Sequence, residues 1–262
     1  MSTAIQWTDE TWNPVTGCTK VSPGCKNCYA ETIAERFWGT RKFTDVRCHE
    51  DRLSIPLKWK QQKMIFVNSM SDLFHDDVPD EYIHKVFDVI GKCPHHVFQI
   101  LTKRHQRLRH WNFLEYPNAW IGVSCETQNM LNERIDSLLA TPAVVRWVSL
   151  EPLLEHVTFR WASWEPLKRD APTNELDGLR RLNWIVIGGE SGLLKDVRPF
   201  NIDWASEIIR QCKEAGVPVF MKQIGSHAVK TDIKTRYKTR HKKGGEMAEW
   251  PRDLWVREYP VK

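Results

Sequence analysis

The sequence predicts a parallel α/β architecture, a complete or partial (β/α) TIM-like barrel. Three observations predict it. Six short runs rich in β-branched and aromatic residues recur from residue 64 onward, each ending in polar residues. The runs are almost continuously apolar, as strands buried on both faces are. Carboxylates, lysines and a glycine pair collect at the run ends, where parallel sheets place their sites. An open doubly wound sheet is the alternative.

The strands are expected at 64–67, 96–101, 119–123, 145–150, 184–187 and 217–221. Helical patterns lie between them. Ile83, Val86, Phe87 and Ile90 share one face of a segment starting at Pro79. Ala205, Ile208, Ile209 and Cys212 do the same from Asp203 to a stop at Gly216. A further helix is expected from Tyr29 to Trp38, with Glu31 in its first turn suiting the positive end of the helix. Phe37 and Trp38 are expected to pack. Residues 155–183 interrupt the rhythm and read as an insertion or long loop. Residues 226–243 carry Lys230, Lys234, Arg236, Lys238, Arg240, Lys242 and Lys243 against one acid, Asp232, before a more ordered tail. The whole chain, 1–262, reads as one domain.

Composition bounds the function. The chain has 262 residues, 41% hydrophobic and 27% charged, with a net charge of +5. That balance permits an anionic partner without requiring one. The start shows no basic and apolar leader, and no run approaches the length of a membrane span. With seven cysteines, an odd number, the expectation is a reducing, cytoplasmic setting and metal ligation, not a disulfide framework. Most of the thirteen tryptophans are expected in the core.

Three of those cysteines carry the strongest signal. Cys18, Cys25 and Cys28 follow a C-x6-C-x2-C spacing on a loop, 17–31, that also holds Gly17, Pro23 and Gly24. Three thiolates leave one ligand position open, as reactive metal centres do. The competing reading is a structural zinc closed by Cys48 or His49. Cys48, Cys93, Cys125 and Cys212 otherwise read as ordinary thiols.

A cysteine loop joined to a (β/α) barrel resembles the radical S-adenosylmethionine (SAM) superfamily. A closer resemblance lies in the motifs at 12–18, 66–75, 101–104, 149–153 and 187–192. Together they resemble a phage-borne, three-cysteine-motif family, the gene-product thirty-seven/sixty-eight family, from about Ile5 to Trp250. The superfamily resemblance implies a radical-SAM-type barrel with a [4Fe–4S] cluster on Cys18, Cys25 and Cys28 and SAM on the fourth iron. It implies homolytic cleavage of SAM to a radical that abstracts hydrogen from substrate. The chain departs from the superfamily pattern in its long first cysteine gap and in Asn27 before the last cysteine. Its Gly-Gly-Glu stands at 188–190 and not after the first strand beyond the cluster.

Candidate cofactor residues follow from the strand ends. Asn68, Ser69, Ser71 and Asp72 either bind the amino end of SAM or cap the next helix. Lys103 is favoured to hold a carboxylate or phosphate, and Arg104 reads equally as a solvated helix start. Glu126, Glu151 and Glu190, with Asp72, are costly on one rim unless something cationic or a ribose satisfies them. Gly188 and Gly189 permit close approach of a ligand, and Lys222 completes the expected ring. His75 and Asp76 read as a surface turn. The expected function is an iron–sulfur enzyme of radical-SAM type acting on a nucleic acid or nucleotide, served by an electron donor protein and a genomic-neighbour partner protein. The alternative is a non-catalytic, zinc- or cluster-stabilised nucleic-acid-binding protein.

Overall fold

The structure, a computed structural model, describes residues 3, 5–161, 174–231 and 236–260. Seven strands form its main sheet: β1 (Glu10–Trp12), β2 (Met64–Val67), β3 (Val97–Thr102), β4 (Ala119–Ser124), β5 (Val145–Leu150), β6 (Trp184–Gly188) and β7 (Val219–Gln223). Their order in the sheet is their order in the chain. A doubly wound sheet reverses that order at its switch point. This one does not, so the topology is that of a partial (β/α) barrel. The chain divides into two compact units, residues 1–122 with 141–145, and residues 123–140 with 146–262.

In the first unit, β1 pairs with β2 in parallel, Trp12 opposite Val67, and β2 pairs with β3, Val67 opposite Ile100. Helix α1 (Tyr29–Phe37) and helix α2 (Asp80–Gly91) follow β1 and β2. α2 buries Ile83, Val86, Phe87 and Ile90, the face read from the sequence. Trp12 sits edge-on to Phe98 in the core, 5.8 Å between ring centres. α1 is different. It buries only Ala30 and Ala34, and Phe37, expected to pack, is 68% exposed. Burying Ile33 and Phe37 would contribute roughly 1.5–3 kcal/mol each, which this helix forgoes. Trp38 does pack, against Phe43, with the Arg41 guanidinium 4.1 Å above its ring. After β3 a 3-10 helix, His105–His110, takes the place of an α-helix.

In the second unit, β5 pairs with β6 and β6 with β7, all parallel. Trp147 and Trp184 pack at 5.2 Å in its core. Helix α3 (Gln128–Ala140) follows β4, and helix α4 (Ile202–Ala215) precedes β7. Asn201 Oδ1 caps α4 by accepting from Asp203 N, and Gly216, at φ 73°, ends it. Residues 155–161 and 174–183 belong to the packed body: Phe159, Leu176 and Leu179 are buried, and Gln211 of α4 accepts from Phe159 N at 2.8 Å. The rest of the expected insertion, 162–173, lies outside the described residues. Ala228–Val229 pairs with Phe200–Asn201 on one side and Arg236–Tyr237 on the other.

Candidate functional site

The cysteine loop begins where β1 ends. β1 carries the chain to Trp12, and Asn68 N, just past β2, donates to Trp12 O at 2.7 Å. Asn68 adopts φ 62°, and its Oδ1 accepts from Val15 N at 3.1 Å. The loop then turns at Gly17, φ 95°, where any Cβ would strike the Asp45 carbonyl. Only glycine fits there. Gly17 N and Cys18 N are held by Met70 O and Phe43 O. The short 3-10 turn Pro23–Cys25 follows, and Cys28 is the N-cap residue of α1.

All three cysteines are free and half-buried. Each sulfur meets a different polar partner. Arg104 Nη1 approaches Cys18 Sγ at 3.6 Å. Ser22 Oγ lies 3.7 Å from Cys25 Sγ. The backbone N–H groups of Glu31 and Ala30, in the first turn of α1, favour the Cys28 thiolate. Burial is the larger influence on two of the thiols: it pushes Cys18 up to about 11, aided by the Asp72 carboxylate and opposed by Arg104, and it raises Cys28. A metal therefore displaces protons from these thiols on binding. Cys25 acts electrostatically on both Cys18 and Cys28.

Three soft thiolate donors with hydrogen bonds to their sulfurs fit an iron–sulfur cluster. Zinc takes the same thiolate donors, with a fourth ligand closing a structural site; among the described residues no three His, Cys, Asp or Glu side chains converge on one ion. His49, a candidate fourth ligand, has its Nε2 2.8 Å from Thr16 Oγ1.

Arg104 is the residue that the sequence undervalued. Its side chain is 7% exposed, and its guanidinium pairs with Asp72 Oδ2 at 3.2 Å. Nη2 also donates to Thr19 O and Thr19 Oγ1, at 3.1 and 2.9 Å. One side chain thus grips the cysteine loop and the end of β2 from the end of β3. Asp72, expected to meet a cofactor, already accepts from Thr102 Oγ1, Phe74 N, Lys103 N and Arg104. It builds this corner. His75, expected on a surface turn, is buried. Its Nδ1 accepts from Asp77 N, so Nε2 carries the proton and donates to Thr19 Oγ1 at 2.9 Å. Ser69 Oγ donates to Asn13 Oδ1, and Ser71 Oγ donates to Asp72 O at 3.4 Å. Asn68 Nδ2 is buried without a hydrogen-bond partner among the described residues. Lys103 is half-buried, and its ammonium forms no ion pair with a described residue.

In the second unit the three glutamates find protein cations. Glu126 is fully buried and pairs with Arg134 of α3 at 3.1 Å. Glu151 Oε1 holds Lys222 Nζ at 2.6 Å, and Ser149 donates to its other oxygen. Glu190 grips Arg198, Oε1 to Nη2 at 2.5 Å, and also accepts from Arg198 N. Charge balance that the sequence reading assigned to a ligand is supplied internally. Lys222 reaches Glu151 because the register slips beside it, Met221 facing Ile187 and Gln223 facing Gly188; such bulges re-aim side chains. A Cβ on Gly188 would lie 2.8 Å from Glu151 Oε1, so glycine makes room for the pair. Gly189 N donates to Gln223 O at 2.9 Å.

The basic segment alternates as its sequence does: Arg236, Lys238 and Arg240 are exposed, while Tyr237 and Thr239 are half-buried. Lys242 and Lys243 are exposed as well. Tyr237 OH bonds to Glu249 O, and the Glu249 carboxylate accepts from Arg240 N and His241 N. Lys234 and Asp232 lie outside the described residues. No helix among the described residues is long and apolar enough to cross a membrane.

A family model described as "Protein of unknown function (DUF5131)" matches residues 2–251. Comparison with curated proteins returns no match. Three solved structures of spore photoproduct lyase are similar. A double mutant with bound AdoMet and dinucleoside spore photoproduct shares 14% identity at a TM-score of 0.46, over 67% of this chain and 55% of that one. One single mutant gives 13% and 0.47, over 85% and 58%. A second gives 13% and 0.42, over 80% and 54%. This chain thus spans little more than half the length of those chains.

Proposed function

We propose that this chain, which belongs to the family described as Protein of unknown function (DUF5131), holds a [4Fe–4S] cluster on Cys18, Cys25 and Cys28 and acts as a radical-SAM-type enzyme. The observation that carries the reading is the separate polar partner at each sulfur, each able to donate to a thiolate: Arg104, Ser22 and the N-terminal turn of α1. Hydrogen bonds to sulfur are among the chief levers on such a cluster. With SAM on its open iron, a cluster of this kind supplies one-electron reductive cleavage of the sulfonium.

The protein's own part is to bind and to orient. Arg104 fixes Cys18 against the end of β3 and balances thiolate charge. Asn68 Nδ2 and the Lys103 ammonium are donors left over at the ends of β2 and β3, and both suit a carboxylate. Half-burial of the three cysteines limits water around them. For the substrate, the reading is a nucleic acid or nucleotide. Exposed Arg236, Lys238, Arg240, Lys242 and Lys243 support it, because phosphate neutralisation by lysine and arginine supplies most sequence-independent affinity.

Anaerobic purification tests the cluster. Broad absorption near roughly 400 nm is expected from thiolate-ligated iron–sulfur, with four irons and four sulfides per chain. Replacing any one of Cys18, Cys25 or Cys28 by Ala should remove it, while Cys93→Ala should not. Iron and sulfide binding that survives the triple replacement overturns the assignment. SAM consumption by the reduced protein tests the second step, and an intact cluster that binds no SAM by calorimetry removes SAM from the account.

A further inference from the structure

We infer that Leu193 and Leu194 form an apolar wedge that enters the base stack of double-stranded DNA, while the basic segment beside them holds its phosphates. The inference deepens the nucleic-acid reading above and rests on it. All the residues concerned lie in the second unit. Past Gly188, where β6 ends, the chain makes a loop before Phe200, at the end of a parallel sheet where sites collect. The base of this loop is fixed. Glu190 grips Arg198, Val197 is buried, and Asp196 N and Val197 N both donate to Leu193 O, at 2.9 and 3.1 Å. Gly192 sits so close that an added Cβ would lie 3.0 Å from Val197 Cγ1. The tip of this braced turn faces water: Leu193 is 68% exposed and Leu194 43%, with Lys195 exposed beside them.

Ser226, itself buried, joins this loop to the basic segment. Its N donates to Glu190 O at 2.9 Å. Its Oγ accepts from Gly192 N at 3.1 Å and donates to Lys242 O at 2.8 Å. Its carbonyl accepts from Arg236 Nη2 at 3.2 Å. The turn that carries the leucines and the segment that carries the cations thus share one anchor. Charge selects the occupant. Residues 226–245 hold seven Lys or Arg against one Asp. Every second residue from Arg236 to Arg240 is an exposed cation. That regular repeat suits the even charge of a phosphate backbone better than the irregular acids of a protein surface. The aliphatic tip selects the form. Single strands are held on rings where bases stack, and Leu193 and Leu194 offer none. Leucine is among the residues that minor-groove binders insert between the base steps of a duplex, unstacking them. An enzyme that acts on a base in a duplex must take it out of the stack, and a wedge begins that step.

The test uses the full chain, anaerobically reconstituted, and a set of short DNA duplexes with 2-aminopurine at successive positions, whose fluorescence rises when the base unstacks. Wild type should bind the duplexes and raise the fluorescence several-fold at saturation. Leu193→Ser/Leu194→Ser should lose most of that rise, while duplex affinity falls less than tenfold and its salt dependence holds. Lys238→Gln/Arg240→Gln/Lys243→Gln should do the converse. Affinity should weaken at least tenfold and the slope of log affinity against log salt should fall by about three, with the rise at saturation kept. All five side chains are exposed, so both variants should unfold at the wild-type midpoint. A full rise in the leucine variant overturns the proposal, as does duplex binding by wild type with no rise. So does a wild-type dimer that the leucine variant splits, or a single strand bound more tightly than the duplex. A wild type that binds no nucleic acid removes the substrate reading as well, and the duplex titration separates that failure from loss of the rise alone.

Discussion

Arg104 Nη1 lies 3.6 Å from Cys18 Sγ, and through that contact the end of β3 is tied to the cysteine loop. The same guanidinium pairs with buried Asp72. Arg104→Gln should therefore act twice. It leaves the Asp72 carboxylate without its cation, which costs about 3–5 kcal/mol for a buried pair. It also removes positive charge beside the thiolates. In the proposed cluster a cation there would favour the more negative reduced state, so its loss should move the midpoint potential downward. Arg104→Lys keeps the charge but loses the fork to Thr19. It should hold the potential near wild type while losing part of the stability. Chemical denaturation and redox titration together check both statements, and equal potentials in the Gln and Lys variants would contradict the charge argument.

Gly188 and Glu151 make a second linked pair. Gly188→Ala forces a Cβ to within 2.8 Å of Glu151 Oε1 and pushes that carboxylate off Lys222. Overpacking of this kind costs about 1–3 kcal/mol. The cost should shrink when Glu151→Ala is already present, because the obstructing atoms are gone. A double-mutant cycle by urea denaturation reads that coupling. Additive effects would mean that Glu151 moves aside freely.

The strands from residue 64 onward were legible because near-continuous apolar runs are what buried parallel strands require. β1 was not. Glu10-Thr11-Trp12 is three residues long and carries a charge, so it has no period to read. Its strand character comes from pairing with Ile65, Phe66 and Val67. The cysteines stood out by spacing alone. Arg104 did not, because a cation one residue past Lys103 looks solvated until the fold brings Asp72 and Thr19 to it. The glutamates were visible as strand-end acids, but Arg134 and Arg198 sit 8 residues downstream of Glu126 and Glu190. Nothing in the local sequence announces those partners. Phe37 misled for the opposite reason: an apolar residue in a helix normally packs, and here the fold leaves it outside.

Glu126 and Arg134 are both buried, which separates a scaffolding role from a ligand-binding one. Glu126→Gln or Arg134→Met alone should destabilise the protein by about 3–5 kcal/mol, since each leaves an uncompensated charge or donor. Replacing both by apolar residues of similar volume should cost much less than the sum. Cluster content should follow stability and show no separate loss. A stable Glu126→Gln protein with selectively weakened SAM binding would instead return Glu126 to the cofactor site.

Acid should destabilise the fold through its buried and half-buried histidines. Burial holds His49, His75 and His96 below the usual imidazole range. The unfolded chain takes up protons on these rings near pH 6.5, and the folded chain does so only at lower pH. In that window the unfolded state binds more protons, so stability is complete above about pH 6.5 and declines as the pH falls toward the depressed folded values. His96 offers the cleanest test, because its Nδ1 accepts from Lys63 N at 3.2 Å far from the cysteine loop in sequence. Asn in its place can present an acceptor to Lys63 N but does not titrate. Denaturation midpoints taken at pH 7.5 and 5.5 should fall for the wild type and fall less for His96→Asn. Identical losses in the two proteins would move the acid sensitivity away from His96 and onto other titrating groups.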